Sequence, residues 1–458
     1  MPYANHKKST SANELVFAHD ADTLRQLATD VLSCASKAGA SAAHVSISEG
    51  FGQSVSVRHG DVENIEYNRG KGIGLSLYLG QKMGYASTAD FSQKAIKQTV
   101  EAALAIARHT SSDKAAGLPE GDLLVRGNTP DLQLYHPWQL STEKAIELAK
   151  QSEAAAFTHD SQINNSEGAG VSSHQSHFIS ANSLGFMDGF PSSSHQIYCT
   201  AIAEADGGKQ RDSWYSANRN SRLLESAQAV GQKAAARCVA RLDARKIETG
   251  VWPVLFEAPL AVGLLGSLAR ATSGSMLYRQ TSFLSNCLGK QLFPEFIQLD
   301  EKPHLPGEYA STPFDGEGVA TNARQVVRDG VLQGYFLDVY SARKLGLSTT
   351  ANSGGSHNLL LQSGDDDLPG LFKRMQRGLF VTELLGQGVN YVNGDYSRGA
   401  VGFWIEDGEI AYPVEEITIA GNLADMYADI VAVGNDVDRR GGKQCGSILI
   451  EKMTLAGN

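Results

Sequence analysis

The sequence predicts an α+β protein, in which a helix-covered antiparallel sheet region is followed by a mainly antiparallel β domain. Three observations lead to this prediction. The first half repeats the order helix, strands, helix. The second half consists mostly of short segments that alternate apolar and polar residues, with two Asp-Gly hairpin signals. Glycine is frequent, at 47 residues, and proline is scarce, at 13, which indicates many tight turns between strands.

The first half reads as a pseudo-repeat of one helix-and-sheet unit. Apolar residues at helical spacing predict helices over 22–38, which ends at Gly39, and over 91–109. Alternating strands separated by Gly, Asp or Asn are expected between them, at 44–50, 53–60, 62–68 and 72–80. The second copy has Ser141 as the predicted N-cap of a helix over 142–157. Strands near 170–181, 186–191 and 194–205 follow, and then a helix from Asn220 or Ser221 to about 242.

The second half begins with a buried strand over 250–258 and an apolar helix over 260–272. Hairpin turns are predicted where Asp329 precedes Gly330 and where Asp407 precedes Gly408, because both flanks alternate apolar and polar residues. Short helices are expected at 340–345 and within 363–378, and the chain closes with a strand over 445–457. With 458 residues, we expect a flexible tail over 1–20, an N-terminal α+β domain over 21–243 and a C-terminal β-rich domain over 244–458.

Composition narrows the class of protein. The formal net charge of -10 argues against direct nucleic-acid binding and against attraction to anionic membranes. No apolar run of 18 residues occurs, and the first residues lack the apolar core of a secretory signal. The five cysteines are scattered and form no CxxC pair. We therefore expect reduced thiols in a cytoplasmic protein.

The residues themselves give little sign of a catalytic centre. The zinc-protease pattern HExxH is absent. The nearest pair, His174 and His177, lies in a predicted strand, where an offset of three places the side chains on opposite faces. No GxSxG nucleophile turn occurs, and Cys445 directly precedes a strand, as inert cysteines commonly do. The glycine-rich residues 70–74 are interpreted as a turn, because no helix follows that could hold a phosphate.

Several segments together resemble the TldD/PmbA family, and specifically its PmbA (TldE) branch, a family of U62-type peptidases also described as modulators of DNA gyrase. The most specific is GLFVTELLGQGVNYVNGDYSRGAVGFWIEDGEIAYPVEEITIAGNLADM, at 378–426. TNARQVVRDGVLQGYFLDVYSARKLGL, at 321–347, ANSGGSHNL, at 351–359, and the terminal CGSILIEKMTLAG stand in the same order as in the family. The resemblance covers nearly the whole chain and implies an α+β metalloprotease fold.

The resemblance also implies that this chain lacks its own zinc site. In the TldD branch, the helix matching APLAVGLLGSLARATSG carries HExxxH, and a Cys-Gly-Lys stretch near the C-terminus supplies a third ligand. Here Gly266 and Ala271 stand at the histidine positions and Ser267 stands at the glutamate position. Cys445 is displaced from the third-ligand position. By this resemblance the chain has no metal of its own, and zinc is expected in a TldD-like partner.

What the resemblance implies for function is therefore indirect. We expect a cytoplasmic heterodimer with a TldD-like subunit, or a homodimer when isolated, that encloses unfolded peptides for degradation or maturation. Peptides would bind as an added strand, and the glycine-rich strands near 386–402 would suit close backbone approach. The alternative is that these glycines only build turns. Candidates for polar contacts in the peptide cavity are Asn352, His357, Glu383 and Glu416.

Two other functions stay open at this point. The chain could hydrolyse peptides alone as a homodimer, through an unusual metal site or through Cys445. It could also be a non-enzymatic protein that acts on DNA gyrase or on antitoxin turnover. Stoichiometric metal in the isolated chain would favour the first alternative, and a gyrase complex that survives loss of the protease partner would favour the second.

Overall fold

One antiparallel sheet contains all strands of the N-terminal half. The computed structural model describes residues 16–127 and 129–457. The strands are β1 (Ala42–Arg58), β2 (Asp61–Leu79), β3 (Lys82–Thr88), β4 (Ile163–Asn182), β5 (Met187–Asp188), β6 (Pro191–Ala205) and β7 (Gly208–Asn218). From edge to edge their order is β3-β2-β1-β4-β6-β7, and the short β5 pairs with β4. The central pair, β1 with β4, is antiparallel along nearly the whole length of β1.

Four helices cover one face of this sheet. They are α1 (Ala21–Lys37), α2 (Gln93–His109), α3 (Thr142–His159) and α4 (Ala227–Ala240). In each, a side chain accepts a hydrogen bond from a free N–H of the first turn; the caps are Asp20, Ser92, Ser141 and Ser226. α1 and α2 pack over one end of the sheet, around Ile47, and α3 and α4 pack over the other end, around Val171. The predicted pseudo-repeat is therefore confirmed.

The C-terminal half contains two further sheets. Its strands are β8 (Gly250–Phe256), β9 (Leu299–Glu301), β10 (Arg324–Arg328), β11 (Val331–Leu332), β12 (Leu359–Leu361), β13 (Gly378–Leu385), β14 (Asp395–Glu406), β15 (Glu409–Asn422), β16 (Ile430–Val433), β17 (Lys443–Gln444) and β18 (Ile448–Ala456). The larger sheet has the order β15-β14-β13-β8-β18-β16, and because β15 also pairs with β18, five strands close into a ring. The smaller sheet has the order β11-β10-β9-β12-β17.

Helices of the C-terminal half pack against these sheets. They are α5 (Ala258–Ala271), α6 (Gly274–Tyr278), α7 (Val339–Leu345), α8 (Leu368–Met375) and α9 (Leu423–Ala428). All strand pairs are antiparallel except β8 with β13 and β12 with β17, so the predicted α+β class with mainly antiparallel sheets is confirmed. None of the helices in the described part of the chain has both the length and the apolar character needed to cross a membrane.

Both Asp-Gly hairpins form where they were predicted. Asp329 and Gly330 have φ of 51° and 73°, and Asp407 and Gly408 have φ of 54° and 75°. Positive φ at both central residues is typical of the tight hairpin turn whose twist matches that of the flanking strands.

Glycines inside strands account for the main errors in the predicted elements. The strands expected at 44–50 and 53–60 are one continuous β1, and those at 62–68 and 72–80 are one continuous β2. Residues 70–74 are therefore part of a strand and not a turn. At Gly52 a Cβ would lie 2.8 Å from the Asn68 Oδ1 and 3.0 Å from the His174 Nδ1. It would also lie 3.0 Å from the carbonyl oxygen of Ser173, so glycine is favoured where the neighbouring strand approaches this closely.

One helix boundary and one strand also differ from the prediction. Asn220 caps a single 3₁₀ turn at Ser221–Leu223, and the helix expected from Asn220 or Ser221 begins only at Ala227. β7 was not predicted from the sequence. Its alternation is masked because polar residues point to both faces along much of its length.

Candidate functional site

The helix α5 carries the positions at which the TldD branch would place its zinc ligands. It starts directly after β8, and Pro259 lies in its first turn, where a missing N–H costs nothing. Leu264, Leu265 and Leu268 are buried in the largest core of the protein. Gly266 and Arg270, four residues apart, lie on the side of the helix that faces a cleft.

The three substituted positions offer no set of zinc ligands. Gly266 lies at the cleft without a side chain, Ser267 is buried, and Ala271 is fully buried in the core. A Cβ at Gly266 would lie 3.7 Å from the Cε of Lys443, so the end of a lysine side chain approaches this point of the helix. Catalytic zinc needs three nitrogen, sulfur or carboxylate donors. The residues present do not fit zinc.

The rest of the described chain adds no such donor set. Within residues 16–127 and 129–457, no three His, Cys, Asp or Glu side chains are grouped so that they could hold a metal ion. Cys445 is fully buried, and burial raises the pKa of its thiol far above the usual range. A thiol in that state is neither a ready nucleophile nor a ready metal ligand.

The cleft beside α5 has a volume of about 430 Å³. Its walls come from α5, from the start of α7, from the loop at 352–356 and from β17. Lys443 and Arg270 contribute the two cations of this cleft, and Asp338 contributes the only carboxylate among its lining residues. Asp338 already accepts hydrogen bonds from the N–H and the hydroxyl of Ser341, as the cap of α7.

Asn352 and His357 belong to one buried polar network around Glu301. The Asn352 side-chain amide donates to Glu301 Oε1 at 2.8 Å, and the His357 backbone N–H donates to the same oxygen at 2.8 Å. Arg324 binds the other oxygen at 2.7 Å. His357 is 6% exposed, and its Nε2 lies 2.8 Å from the carbonyl oxygen of Ala351. Asn352 borders the α5 cleft, whereas the imidazole of His357 is held inside the network.

Glu383 lies at the junction of the two halves. It accepts a short hydrogen bond from Arg241, which is 2% exposed. Around them is a second cleft of about 320 Å³ between β7, α4, the start of α5 and β13. Glu383 therefore lines a cavity, but its carboxylate is already bound to an arginine.

Glu416 is the most exposed of the predicted residues. Its side chain is 68% exposed and lies 2.9 Å from the Nζ of Lys246. The residue has φ of 54°, at an irregularity in the pairing of β14 with β15. The sequence predicted neither this bulge nor the ion pair.

The glycine-rich region at 386–402 offers no unpaired strand for a peptide. β14 pairs with β13 on one side and with β15 on the other. A Cβ at Gly402 would lie 1.9 Å from the carbonyl oxygen of Phe380, and one at Gly388 would lie 1.6 Å from that of Ser397. These two glycines accommodate the chain's own backbone, and β14 has no free edge to which a peptide strand could be added.

His174 and His177 lie on opposite faces of β4, as predicted. His174 is exposed, and His177 is buried beneath the stacked ring of Phe17. The structure adds a partner that the sequence did not indicate, because the Nε2 of His177 lies 3.8 Å from the buried carboxylate of Glu49. Glu49 also accepts hydrogen bonds from the backbone N–H groups of Ala18 and His19.

A carboxyl group with a strongly shifted pKa was also missed. Burial, with smaller contributions from the carboxylates of Asp315 and Asp338, raises the pKa of Glu317 to about 7. Its Oε2 accepts the backbone N–H of Val339 at 2.9 Å, at the start of α7. Nothing in the local sequence marks this residue, since its environment comes from segments distant in sequence.

Comparison with known proteins agrees with this architecture. Models of the PmbA/TldA metallopeptidase family match residues 43–107 as domain 1, 135–242 as the central domain and 249–457 as the C-terminal domain. The chain is 46% identical over 415 residues to metalloprotease PmbA of Escherichia coli O157:H7, covering 91% of this chain and 92% of that protein. It is 44% identical to a metalloprotease PmbA homolog of Haemophilus influenzae, covering 99% and 100%.

A solved structure shares the fold over nearly the whole length. The crystal structure of a "putative modulator of DNA gyrase" from Bacteroides thetaiotaomicron superimposes with a TM-score of 0.89 at 29% identity, covering 95% of this chain and 99% of that one. The family models and these relatives span nearly the whole length of the chain, so the chain belongs to the PmbA/TldA metallopeptidase family.

Proposed function

We propose that this chain is the zinc-free, PmbA/TldE-like subunit of a cytoplasmic metalloprotease, and that it pairs with a TldD-like subunit that supplies zinc. The pair would degrade or mature unfolded peptides in an enclosed chamber. In this assembly the present chain helps to enclose and position the peptide and does not carry out the hydrolysis.

One observation carries the proposal. On α5, Gly266 and Ala271 stand at the positions of the two zinc-binding histidines of the TldD branch, and Ser267 stands at the position of the glutamate. Glycine and alanine have no donor atom in their side chains, and Ser267 is buried. Catalytic zinc needs three nitrogen, sulfur or carboxylate donors, so the local chemistry does not support a metal at this point of the chain, while the fold of the family is kept.

Reconstitution tests the proposal. The purified chain, a TldD-like protein from the same genome and their equimolar mixture are assayed for hydrolysis of unfolded casein. We expect activity in the mixture well above the sum of the separate proteins, and we expect a glutamate-to-glutamine change in the partner's HExxxH to abolish it. Full activity of the partner alone, unchanged by this chain, would contradict the subunit role. Activity of this chain alone would contradict the zinc-free assignment.

A further inference from the structure

We propose that the cleft beside α5 binds a carboxylate group, held by Lys443 and Arg270, and that a peptide supplies this carboxylate. The cleft is the one of about 430 Å³ bordered by α5, α7 and the 352–356 loop. The choice of a peptide as the ligand rests on the proposed function. The positive charge of the cleft does not depend on that function.

The two cations of the cleft lack partners of opposite charge. Within the described residues, neither Lys443 nor Arg270 makes an ion pair, and no hydrogen bond from either side-chain cation is present. Two partly buried arginines elsewhere show the contrast: Arg324 lies 2.7 Å from Glu301, and Arg237 lies 2.6 Å from Glu257. In a chain with a net charge of -10, two uncompensated cations that line one cleft attract an anion.

The surroundings of the cations limit what kind of anion fits. The one carboxylate of the cleft, Asp338, is bound to Ser341 and does not reach either cation. Gly266 leaves room beside Lys443, since a side chain there would contact the lysine. Gly354 and Gly355 face open space, because a Cβ at either would meet nothing within 4 Å. A guanidinium and an ammonium at an open cleft suit a planar carboxylate, which the guanidinium can bind with two parallel hydrogen bonds.

A carboxylate in a peptide has two sources, the C-terminus and an acidic side chain. The probes are heptapeptides of Gly, Ser and Leu that carry an uncharged fluorophore at the N-terminus, in three forms: free acid, C-terminal amide, and C-terminal amide with one central Glu. Binding to the purified full chain is measured by fluorescence anisotropy at low and high salt. We expect at least one charged peptide to bind about tenfold more tightly than the neutral amide, as a charge-assisted hydrogen bond would give. The difference should shrink at high salt.

Variants assign the effect to the cleft. Lys443→Gln and Arg270→Gln should each remove most of the preference for the charged peptide. Lys150→Gln and Arg222→Gln are matched controls, because both side chains are exposed and lie outside the cleft. These variants should keep the preference for the charged peptide. The melting temperature of each variant shows whether it is folded. If Lys443→Gln unfolds, Arg270→Gln still tests the site, because Arg270 is exposed.

The outcomes separate this inference from the proposed function. Equal binding of the charged and neutral peptides, no binding of any peptide, or a preference retained in both variants would overturn the carboxylate site. If the mixture with the TldD-like protein is nevertheless active on casein, the subunit role stands without the site. If the preference is present and lost in the variants but the mixture is inactive, the site stands and the proposed subunit role falls.

Discussion

At the scale of single residues, burial gives some side chains chemical properties that the sequence does not reveal. Glu317 resembles any other glutamate in the sequence, yet its surroundings raise its pKa to about 7. The carboxyl is therefore protonated more readily in the folded chain than in the unfolded chain, where its pKa is close to 4.5. The stability that this proton contributes is fully present below pH 4.5 and is lost as the pH rises through 7.

Because the wild type loses stability as the pH rises, the effect of Glu317→Gln on stability should depend on pH. Gln is neutral at all pH values and can still accept the hydrogen bond from the Val339 N–H. The variant therefore does not lose stability when the pH rises through the pKa of Glu317. We expect nearly equal stability of the two proteins at pH 4.5, and an advantage for the variant at pH 8 of up to about 3 kcal/mol, since each pKa unit corresponds to about 1.4 kcal/mol.

Urea unfolding at the two pH values measures the effect of Glu317→Gln. Glu101→Gln is the control, because Glu101 is exposed on α2. A variant that gains no stability relative to the wild type between pH 4.5 and pH 8 would show that Glu317 is ionised at little cost in the folded chain.

At the scale of elements, the sequence predicted correctly those features that are set by residues close to one another along the chain. The cap at Ser141 and both Asp-Gly hairpins form as predicted, because each is decided within four or five residues. The glycines of β1 and β2 were misread because their role depends on a neighbouring strand. A Cβ at Gly52 would lie only 3.0 Å from the carbonyl oxygen of Ser173 on β4, more than a hundred residues away in sequence. For the same reason the sequence could not show that β14 is enclosed between two other strands.

β2 has an edge without a neighbouring strand over much of its length. β3 pairs only with the part from Ile73 onward, and residues 61–71 are all exposed. Exposed apolar side chains lie on this segment, among them Ile65, which is 42% exposed. Unpaired edges of this kind bind other chains through main-chain hydrogen bonds. We expect this edge to contribute to pairing with a second subunit.

A charge on this edge tests that expectation. Ile65→Lys should weaken association with the TldD-like protein by about tenfold or more, because a buried unpaired charge costs over about 1.4 kcal/mol. The melting temperature of the isolated chain should change little, since Ile65 contacts solvent there. Isothermal titration calorimetry measures the affinity. Ile106→Lys is the control, because the side chain of Ile106 is exposed on the outer side of α2. Wild-type affinity in Ile65→Lys would exclude the edge from the interface.

At the scale of the whole molecule, buried arginines join the two halves. Arg237, on α4, binds Glu257 at the start of α5 with N–O distances of 2.6 and 3.0 Å. Arg241 binds Asp212 on β7 at 3.0 Å and also Glu383 on β13. The charges of this cluster are largely desolvated, and burial raises the pKa of Asp212. The cluster fixes the N-terminal sheet against the C-terminal ring.

Removal of Arg241 takes from Asp212 and from Glu383 the closest arginine partner of each. Arg237 stays 3.2 Å from Asp212, and Arg211 stays 3.8 Å from Glu383. We expect Arg241→Ala to lower the free energy of unfolding by about 3 kcal/mol, the typical cost of breaking a buried ion pair. Arg25→Ala is the control, because Arg25 is 43% exposed and its pair with Asp22 on α1 should contribute less than about 1 kcal/mol. Urea unfolding at pH 7 gives both values, and similar small losses in the two variants would mean that the junction depends on other contacts.

The loss of the family's zinc-binding histidines at Gly266 and Ala271 predicts that the isolated chain does not hold zinc. The purified chain and a TldD-like protein from the same genome are equilibrated with zinc, dialysed in separate compartments against the same buffer, and analysed by atomic emission. We expect zinc close to one per chain in the TldD-like protein and far below one in this chain. Stoichiometric zinc in this chain would show that it contains a metal site outside Gly266, Ser267 and Ala271, and would contradict the zinc-free role.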